Sequence, residues 1–206
     1  RGEIPGTLSG SITYHVVASD PYGNTGLSGS HFYLSQGTSP MVSFCEPGVG
    51  GTIPCPCGNP PAVAGRGCDN FGAMSGGAAL SAVGTASLAA DTLVLTCNGE
   101  NNTAFTIFVQ GTTSNPIGSV FGAGVRCAGG SLKRLYNGPA SAGAITRPGA
   151  GDPSISARSA ALGNTIQSGD TRYYFAYYRD PLAAIPCVNP ASTFNSSQAG
   201  SVVWAP

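Results

Sequence analysis

The sequence predicts an all-β protein: a jelly-roll-like antiparallel β-sandwich with an N-terminal β-hairpin arm and a disulfide-stapled loop. Short apolar runs follow one another with Gly, Asn, Asp or Pro between most of them, and none has the helical period. Glycine and proline are abundant, at 31 and 16 of 206 residues. A segment with four of the seven cysteines separates a short N-terminal part from a long series of predicted strands.

The composition restricts the partners and the compartment. Charged residues make up only 9%, with nine basic against nine acidic, so we expect no nucleic-acid partner. No apolar run approaches the roughly 20 residues that span a bilayer, so we expect no membrane span. Cysteines in loop-rich segments are typical of an oxidising compartment, which predicts an extracellular or cell-surface protein. Because the chain starts at Arg1 without Met, we expect a processed or truncated protein.

Residues 1–40 are predicted to form the arm. Two alternating stretches, residues 11–20 and 31–36, flank a turn rich in Asp, Gly and Asn. We expect a hairpin with one apolar face, which carries Ile12, Tyr14, Val16, Phe32 and Leu34. A lone two-stranded hairpin is marginally stable. The arm is therefore expected to pair with its own domain or with a neighbouring molecule, the alternative being a disordered remnant.

Residues 44–68 cannot hold a shape by backbone pairing, because Gly and Pro interrupt both helices and strands. Order must come from cross-links among Cys45, Cys55, Cys57 and Cys68. A zinc site is the alternative to disulfides. Their spacing, C-x9-C-x-C-x10-C, lacks the paired C-x2-C knuckles of structural zinc sites, so we expect no metal.

Residues 41–206 are predicted to form the sandwich. Its strands are expected at residues 79–88, 93–97, 104–110, 119–127, 131–136, 143–146, 154–162, 171–179 and 201–204. The stretch 171–179 places aromatic residues on both faces, which predicts a central strand whose rings belong to the core rather than to a sugar platform. Trp204 is expected to cap a core.

Several motifs together resemble a known family. They are FC, PCPCGN, GRGCDN, SGGAAL, DTLVL, FTIFVQG, GVRCAGG, GDTRYYFAYYRDP, TFN and VVW. The family is a secreted, cysteine-containing β-sandwich domain of unknown function, widespread in planctomycetes, myxobacteria and other environmental bacteria. The resemblance covers about residues 42–206 and implies a secreted, disulfide-bonded β domain without an assigned activity. Residues 1–40 resemble the last strands of an immunoglobulin-like or fibronectin-like domain.

The family pattern has six cysteines, and Cys97 is the additional one here. We expect Cys127 to pair with Cys187, and the four cysteines of residues 44–68 to form two bridges among themselves with open connectivity. Cys55 and Cys57 are too close in sequence to be good partners. Cys97 is expected to be a buried free thiol, with an intermolecular bridge as the alternative.

Catalysis finds little support, so we expect no enzyme, no catalytic residue and no cofactor. Both histidines lie in the arm, away from any nucleophile in the sandwich. A catalytic carboxylate pair could come only from Asp152, Asp170 and Asp180. Arg172 and Arg179 are the expected ion-pair partners of Asp170 and Asp180. Calcium ligation is the alternative to ordinary turn chemistry at Asp20, Asn24, Asp69 and Asn70. Sequons in predicted loops make Asn101 and Asn195 candidate glycosylation sites.

Two functions follow from these expectations. The first is a structural protomer of an extracellular filament or surface appendage, a homopolymer whose subunits join head to tail by strand addition of the arm. The apolar arm residues would form the joint. The alternative is a secreted carbohydrate-binding, lectin-like jelly-roll module with glycans as partners.

Overall fold

The computed structural model describes residues 10–14, 17–19, 21–22, 24–27, 31–35, 39–181 and 193–206. The chain divides into two compact units, Arg1–Thr38 and Ser39–Pro206. Strands dominate the described residues, and the only helix among them has seven residues. All pairings between these strands are antiparallel. The predicted all-β antiparallel sandwich is confirmed.

The first unit contains a hairpin with an outer and an inner pair of strands. The outer pair is β1 and β4 and the inner pair is β2 and β3, with bounds β1 (Gly10–Tyr14), β2 (Val17–Ser19), β3 (Thr25–Leu27) and β4 (His31–Ser35). The stretch predicted as one strand over residues 11–20 therefore contributes to two.

The register of β1 and β4 contradicts the expectation of a single apolar face. Ile12 lies opposite Tyr33, and Phe32 lies opposite Thr13. Directly opposite residues belong to the same face of a sheet. The expected joint residues thus divide between the faces, with Ile12 and Tyr14 on one and Phe32 and Leu34 on the other. Val16 lies outside the described residues.

The second unit contains eleven strands and one helix in its described part. They are β5 (Met41–Phe44), β6 (Ala79–Val83), β7 (Val94–Asn98), β8 (Phe105–Gly111), β9 (Thr113–Phe121), β10 (Gly124–Gly129), β11 (Lys133–Pro139), β12 (Ala144–Arg147), α1 (Ile155–Ala161), β13 (Thr171–Arg179), β14 (Phe194–Ser196) and β15 (Ala199–Val203). One sheet has the order β11, β8, β13, β15, β5, with β14 also on β13; a second has the order β12, β7, β6; β9 and β10 form a hairpin.

The central strand β13 separates two apolar cores, as the sequence predicts. Its neighbours are β8 on one side and β14 and β15 on the other. Tyr174 and Tyr178 are fully buried in the larger core, which the three-stranded sheet also lines. Phe175 is buried in a second core, which the β9–β10 hairpin covers. Trp204 lies fully buried in the larger core, as expected.

Two predicted strands are wrong. The stretch 154–162 is helical, because Ser154 caps the first turn by accepting from the Ala157 backbone N–H. Ile155 and Ser159, four residues apart, are the buried side of that helix. The stretch 119–127 contains the turn between β9 and β10, where Gly122 has a φ of +64°.

Disulfides hold the segment between β5 and β6, as predicted, but the pairing differs. Residues 45–78 contain no helix or strand. Cys45 is joined to Cys127 and Cys55 to Cys68, so the expected Cys127–Cys187 bridge is wrong. Cys57 is also disulfide-bonded, and Cys187 lies outside the described residues.

Candidate functional site

Strand addition requires a sheet edge that is not blocked. Natural edge strands are protected by charges, proline, bulges or a covering loop, because their unpaired N–H and C=O groups would otherwise recruit another chain. The outer strands of the two larger sheets are β5, β11, β6 and β12. β9 and β10 form a separate two-stranded sheet, the small hairpin, and β9 is one of its edges. Comparing them identifies the edge that can accept a strand.

The edges at β11 and β12 are protected. β11 carries Lys133 and Arg134 and ends at Pro139, and its register with β8 shifts after Arg134. The last residue of β12 is Arg147, whose guanidinium donates to the backbone carbonyl of Asn137 at 3.2 and 3.3 Å. A positive side chain therefore bridges the two strands on this side of the sandwich.

The edge at β9 is also blocked, and the disulfide-stapled loop blocks it. Pro116 lies within the strand and removes one backbone donor. The Ile53 N–H donates to the carbonyl of Ile117 at 2.8 Å, and the Thr52 hydroxyl donates to the carbonyl of Pro116 at 2.9 Å. The loop thus occupies backbone acceptors that an added strand would need.

The edge at β5 has none of these protections within the strand itself, but its first N–H is already used, because Met41 donates to the Ser39 hydroxyl at 3.3 Å. Its residues, MVSF, include no charge and no proline, and its register with β15 is continuous over four pairs. Met41 packs directly over Gly200, where an added Cβ would come within 2.2 Å of the Met41 sulfur. Phe44 makes an edge-to-face contact with Tyr173, with ring centroids 5.7 Å apart. These two side chains hold β5 to the sheet, while Val42 is 69% exposed.

The edge at β6 resembles that at β5 in sequence, but it is partly covered. Its residues, ALSAV, are uncharged, and its register with β7 is continuous over five pairs. The Ser39 hydroxyl donates to the carbonyl of Ala82 at 3.2 Å. The Gln198 side chain also occupies both the N–H and the carbonyl of Leu80, at 2.8 and 2.7 Å. The described side-chain bonds therefore use more backbone groups of β6 than of β5, and β5 is the less protected of the two edges.

A groove at one end of the six-stranded sheet is a second candidate surface. Two adjoining cavities of about 220 and 640 Å³ share Phe105 and Arg179. Ile107, Tyr177 and Phe194 line the smaller cavity, which is apolar, and the turn 101–104 lines the larger one. Phe105 is 48% exposed. The groove combines exposed ring surface with polar groups, as sugar-binding surfaces do.

Neither candidate glycosylation asparagine offers a free amide. Asn195 is fully buried, and its side-chain nitrogen donates to the carbonyls of Cys68 and Asp69. The side-chain nitrogen of Asn101 donates to the carbonyl of Arg179 at 3.0 Å and to Asp180 Oδ1 at 3.2 Å. The expectation is wrong for Asn195, since a sugar would have to displace both of its bonds.

The candidate carboxylates act in local structure. Asp170 pairs with Arg172 at 2.8 Å, as predicted, and Asp152 lies 3.7 Å from Arg147. Asp180 is fully buried and accepts from the backbone N–H groups of residues 71 and 72, while Arg179 donates to the Thr193 hydroxyl. The expected Asp180–Arg179 pair is therefore wrong.

The turn chemistry expected at Asp69 and Asn70 is observed. Asp69 Oδ1 accepts from the backbone N–H groups of Asn70, Gly76 and Gly77. Asn70 accepts from the Ala73 N–H and donates to the Gly99 carbonyl. Both side chains order the loop that follows Cys68. Asp20 lies outside the described residues.

One buried acid was not anticipated from the sequence. Glu100 is 1% exposed and accepts a hydrogen bond from Thr106. Burial raises the pKa of Glu100 to about 7, against a smaller lowering by hydrogen bonds from Cys97 and Thr106. Cys97 is a buried free thiol, as predicted, and burial together with Glu100 raises its pKa. The sequence NGENN around Glu100 is typical of an exposed turn, so it does not indicate that Glu100 is buried beside Cys97 and Thr106.

Glu100 makes stability depend on pH. Its pKa rises from 4.5 to about 7 on folding, so the unfolded chain releases a proton more readily between these values. The free energy of unfolding should therefore fall by about 3 kcal/mol as pH rises through this window. We expect Glu100→Gln to remove this pH dependence. In urea unfolding, the free energy of unfolding of the variant should therefore rise relative to that of the wild type between about pH 4 and about pH 8. Parallel pH curves for the two proteins would contradict the assignment.

Among the described residues, no helix is long and apolar enough to cross a membrane. In the same part of the chain, no three side chains of His, Cys, Asp or Glu are grouped so that they could hold a metal ion. No protein-family model, curated protein or solved structure matches the chain.

Proposed function

We propose that this protein is the structural protomer of an extracellular filament or surface appendage. The first unit of one subunit adds strands to the second unit of the next. The observation that carries the proposal is that the first unit is a compact unit of its own, whose described strands form a hairpin. Because a two-stranded hairpin is marginally stable in water, it gains most by joining an existing sheet.

The charge distribution supports close contact between subunits. The described strands of the first unit contain no Asp, Glu, Lys or Arg, and neither does β5. Pairing them therefore desolvates no side chain of these types. The disulfides at Cys45–Cys127 and Cys55–Cys68 are the cross-links expected of a protein exposed to an oxidising exterior.

The arrangement predicts an open polymer. Donor and acceptor are different surfaces of the same chain, so the contact is heterologous rather than two-fold symmetric. Each added subunit leaves one donor and one acceptor unused at the ends. Association of this kind continues into a filament unless the rotation between subunits closes a ring.

The test compares the intact chain with a chain that begins at Ser39. The intact chain should form filaments in negative stain, and the shortened chain should stay monomeric because it lacks the donor. The shortened chain should also act as a chain stopper: added in excess to the intact chain, it should shorten the filaments. If filaments keep their length with excess stopper, the arm does not form the joint and the proposal fails.

Glycan binding is the second candidate function, and the groove at Phe105 and Arg179 is the observation that favours it. Its larger cavity, about 640 Å³, is bordered by Asn102 and Thr103, whose exposed side chains can hydrogen-bond to hydroxyl groups. The chain carries no net charge, which matches a neutral sugar. The ring of Phe105 would supply the stacking surface.

A further inference from the structure

We propose that β5 is the acceptor edge and that its occupant is the β1–β4 hairpin of a second copy of this chain. This rests on the proposed function and specifies where the joint forms. The described hydrogen bonds join β5 to no strand other than β15. Since alternate residues of a strand direct their backbone groups to the same side, two of the four residues of β5 face the open side.

Exposed apolar surface lies beside this open side. Val42 is opposite Ser201 in the register, and Val203 is two residues further along β15, so both valines belong to one face of the sheet. They are 69% and 65% exposed. A strand added to β5 would cover Val42 with side chains of its own. An exposed apolar residue on an uncharged edge strand is the feature that natural edges usually avoid.

The dimensions of the hairpin fit the edge. β1 and β4 have five residues each, and β5 has four, so either outer strand can pair along the whole of β5. The other edges offer less: β11 carries two positive charges, and β9 contains Pro116 and is capped by the stapled loop. The match in length and the lack of charge on both partners favour the hairpin as the occupant.

The test places a charge on the proposed edge of the intact chain. Val42→Lys should raise the critical concentration for assembly at least about tenfold, because the ammonium must be desolvated before a strand can pair beside it. Val83→Lys is the matched control, since Val83 is 62% exposed on the competing edge β6. This variant should assemble like the wild type. Equal melting temperatures of the two variants in the chain that begins at Ser39 show that the fold is intact.

A second measurement does not depend on a substitution. In the wild-type filament, hydrogen exchange of the β5 amides should slow relative to the chain that begins at Ser39, and that of the β6 amides should not.

The outcomes separate this inference from the proposed function. If Val42→Lys assembles normally and the β5 amides exchange equally fast in both forms, β5 is not the acceptor, although the filament proposal stands. If Val83→Lys alone blocks assembly, the acceptor is β6. If the wild type remains monomeric while its β5 amides are protected relative to the shortened chain, the hairpin pairs within its own chain and both proposals fail.

Discussion

Replacing Cys45 and Cys127 together by alanine is expected to lower the free energy of unfolding by about 4.5 kcal/mol. The bond joins residues 82 positions apart, so its loss frees a long loop in the unfolded chain. It also connects the end of β5 to β10, which holds the small hairpin against the six-stranded sheet. With roughly 2–4 °C per kcal/mol for a protein of this size, the melting temperature should fall by roughly 10 °C or more.

The bond between Cys55 and Cys68 provides the matched control. Its separation is 13 residues, for which the same loop-entropy relation gives about 3 kcal/mol. Urea unfolding of the two double-alanine variants should therefore rank them, with the Cys45/Cys127 variant less stable by roughly 1–2 kcal/mol. The reverse order would show that loop closure does not determine how these bonds stabilise the fold.

Trp204→Ala is expected to cost about 3–5 kcal/mol, the usual range for removing a buried aromatic ring. Trp204 is fully buried, and its indole N–H donates to the Tyr174 hydroxyl at 3.1 Å. That hydroxyl donates to Gln110, whose amide in turn donates to Ser159 on α1. The substitution removes the ring and leaves the first acceptor of a buried network without its donor, so cavity and hydrogen-bond losses add.

Two further substitutions separate these contributions. Trp204→Phe keeps most of the ring volume and loses the hydrogen bond, so we expect about 1–3 kcal/mol. Val203→Ala, at the exposed neighbouring residue, should change stability by no more than about 0.5 kcal/mol. Calorimetry on all three variants checks the series. A loss at Trp204→Ala as small as at Val203→Ala would contradict the role of Trp204 in the core.

The sequence predicted those elements whose pattern is local. Aromatic residues on both faces of 171–179 can be buried only if an apolar core lies on each side of the strand. β13 lies between two such cores. The Gly- and Pro-rich segment after Phe44 cannot form a ladder, and cross-links hold it. The helix is not evident from the sequence, because a stretch of Ser and Ala with few large apolar residues carries little periodic signal and its N-cap, Ser154, is a single serine in a Ser-rich chain.

Features that depend on distant pairing could not be predicted. The bridge from Cys45 to Cys127 follows from the position of β10 beneath the sheet, which the spacing of the cysteines does not reveal. The split of the apolar arm residues between two faces follows from a register that a shift of one residue would reverse. The state of Glu100 follows from burial in a turn that reads as polar.

The candidate acceptor edge, β5, also depends on the pairing of distant strands. The sequence MVSF is apolar enough to be a buried strand, and its position at the edge emerges only from the strand order of the sheet. The other edges are recognisable in part from sequence, because Lys133, Arg134 and Pro116 are standard edge-protecting residues. These residues lie in β11 and β9, whereas β6 is covered by the Gln198 side chain, which leaves β5 as the proposed joint.

Sedimentation of the intact chain at increasing concentration, beside the chain that begins at Ser39, tests directly whether the arm joins subunits. We expect the intact chain to grow into large, concentration-dependent species while the shortened chain sediments as a monomer throughout. If both sediment as monomers at every concentration, the arm joins no second copy and the filament proposal is wrong.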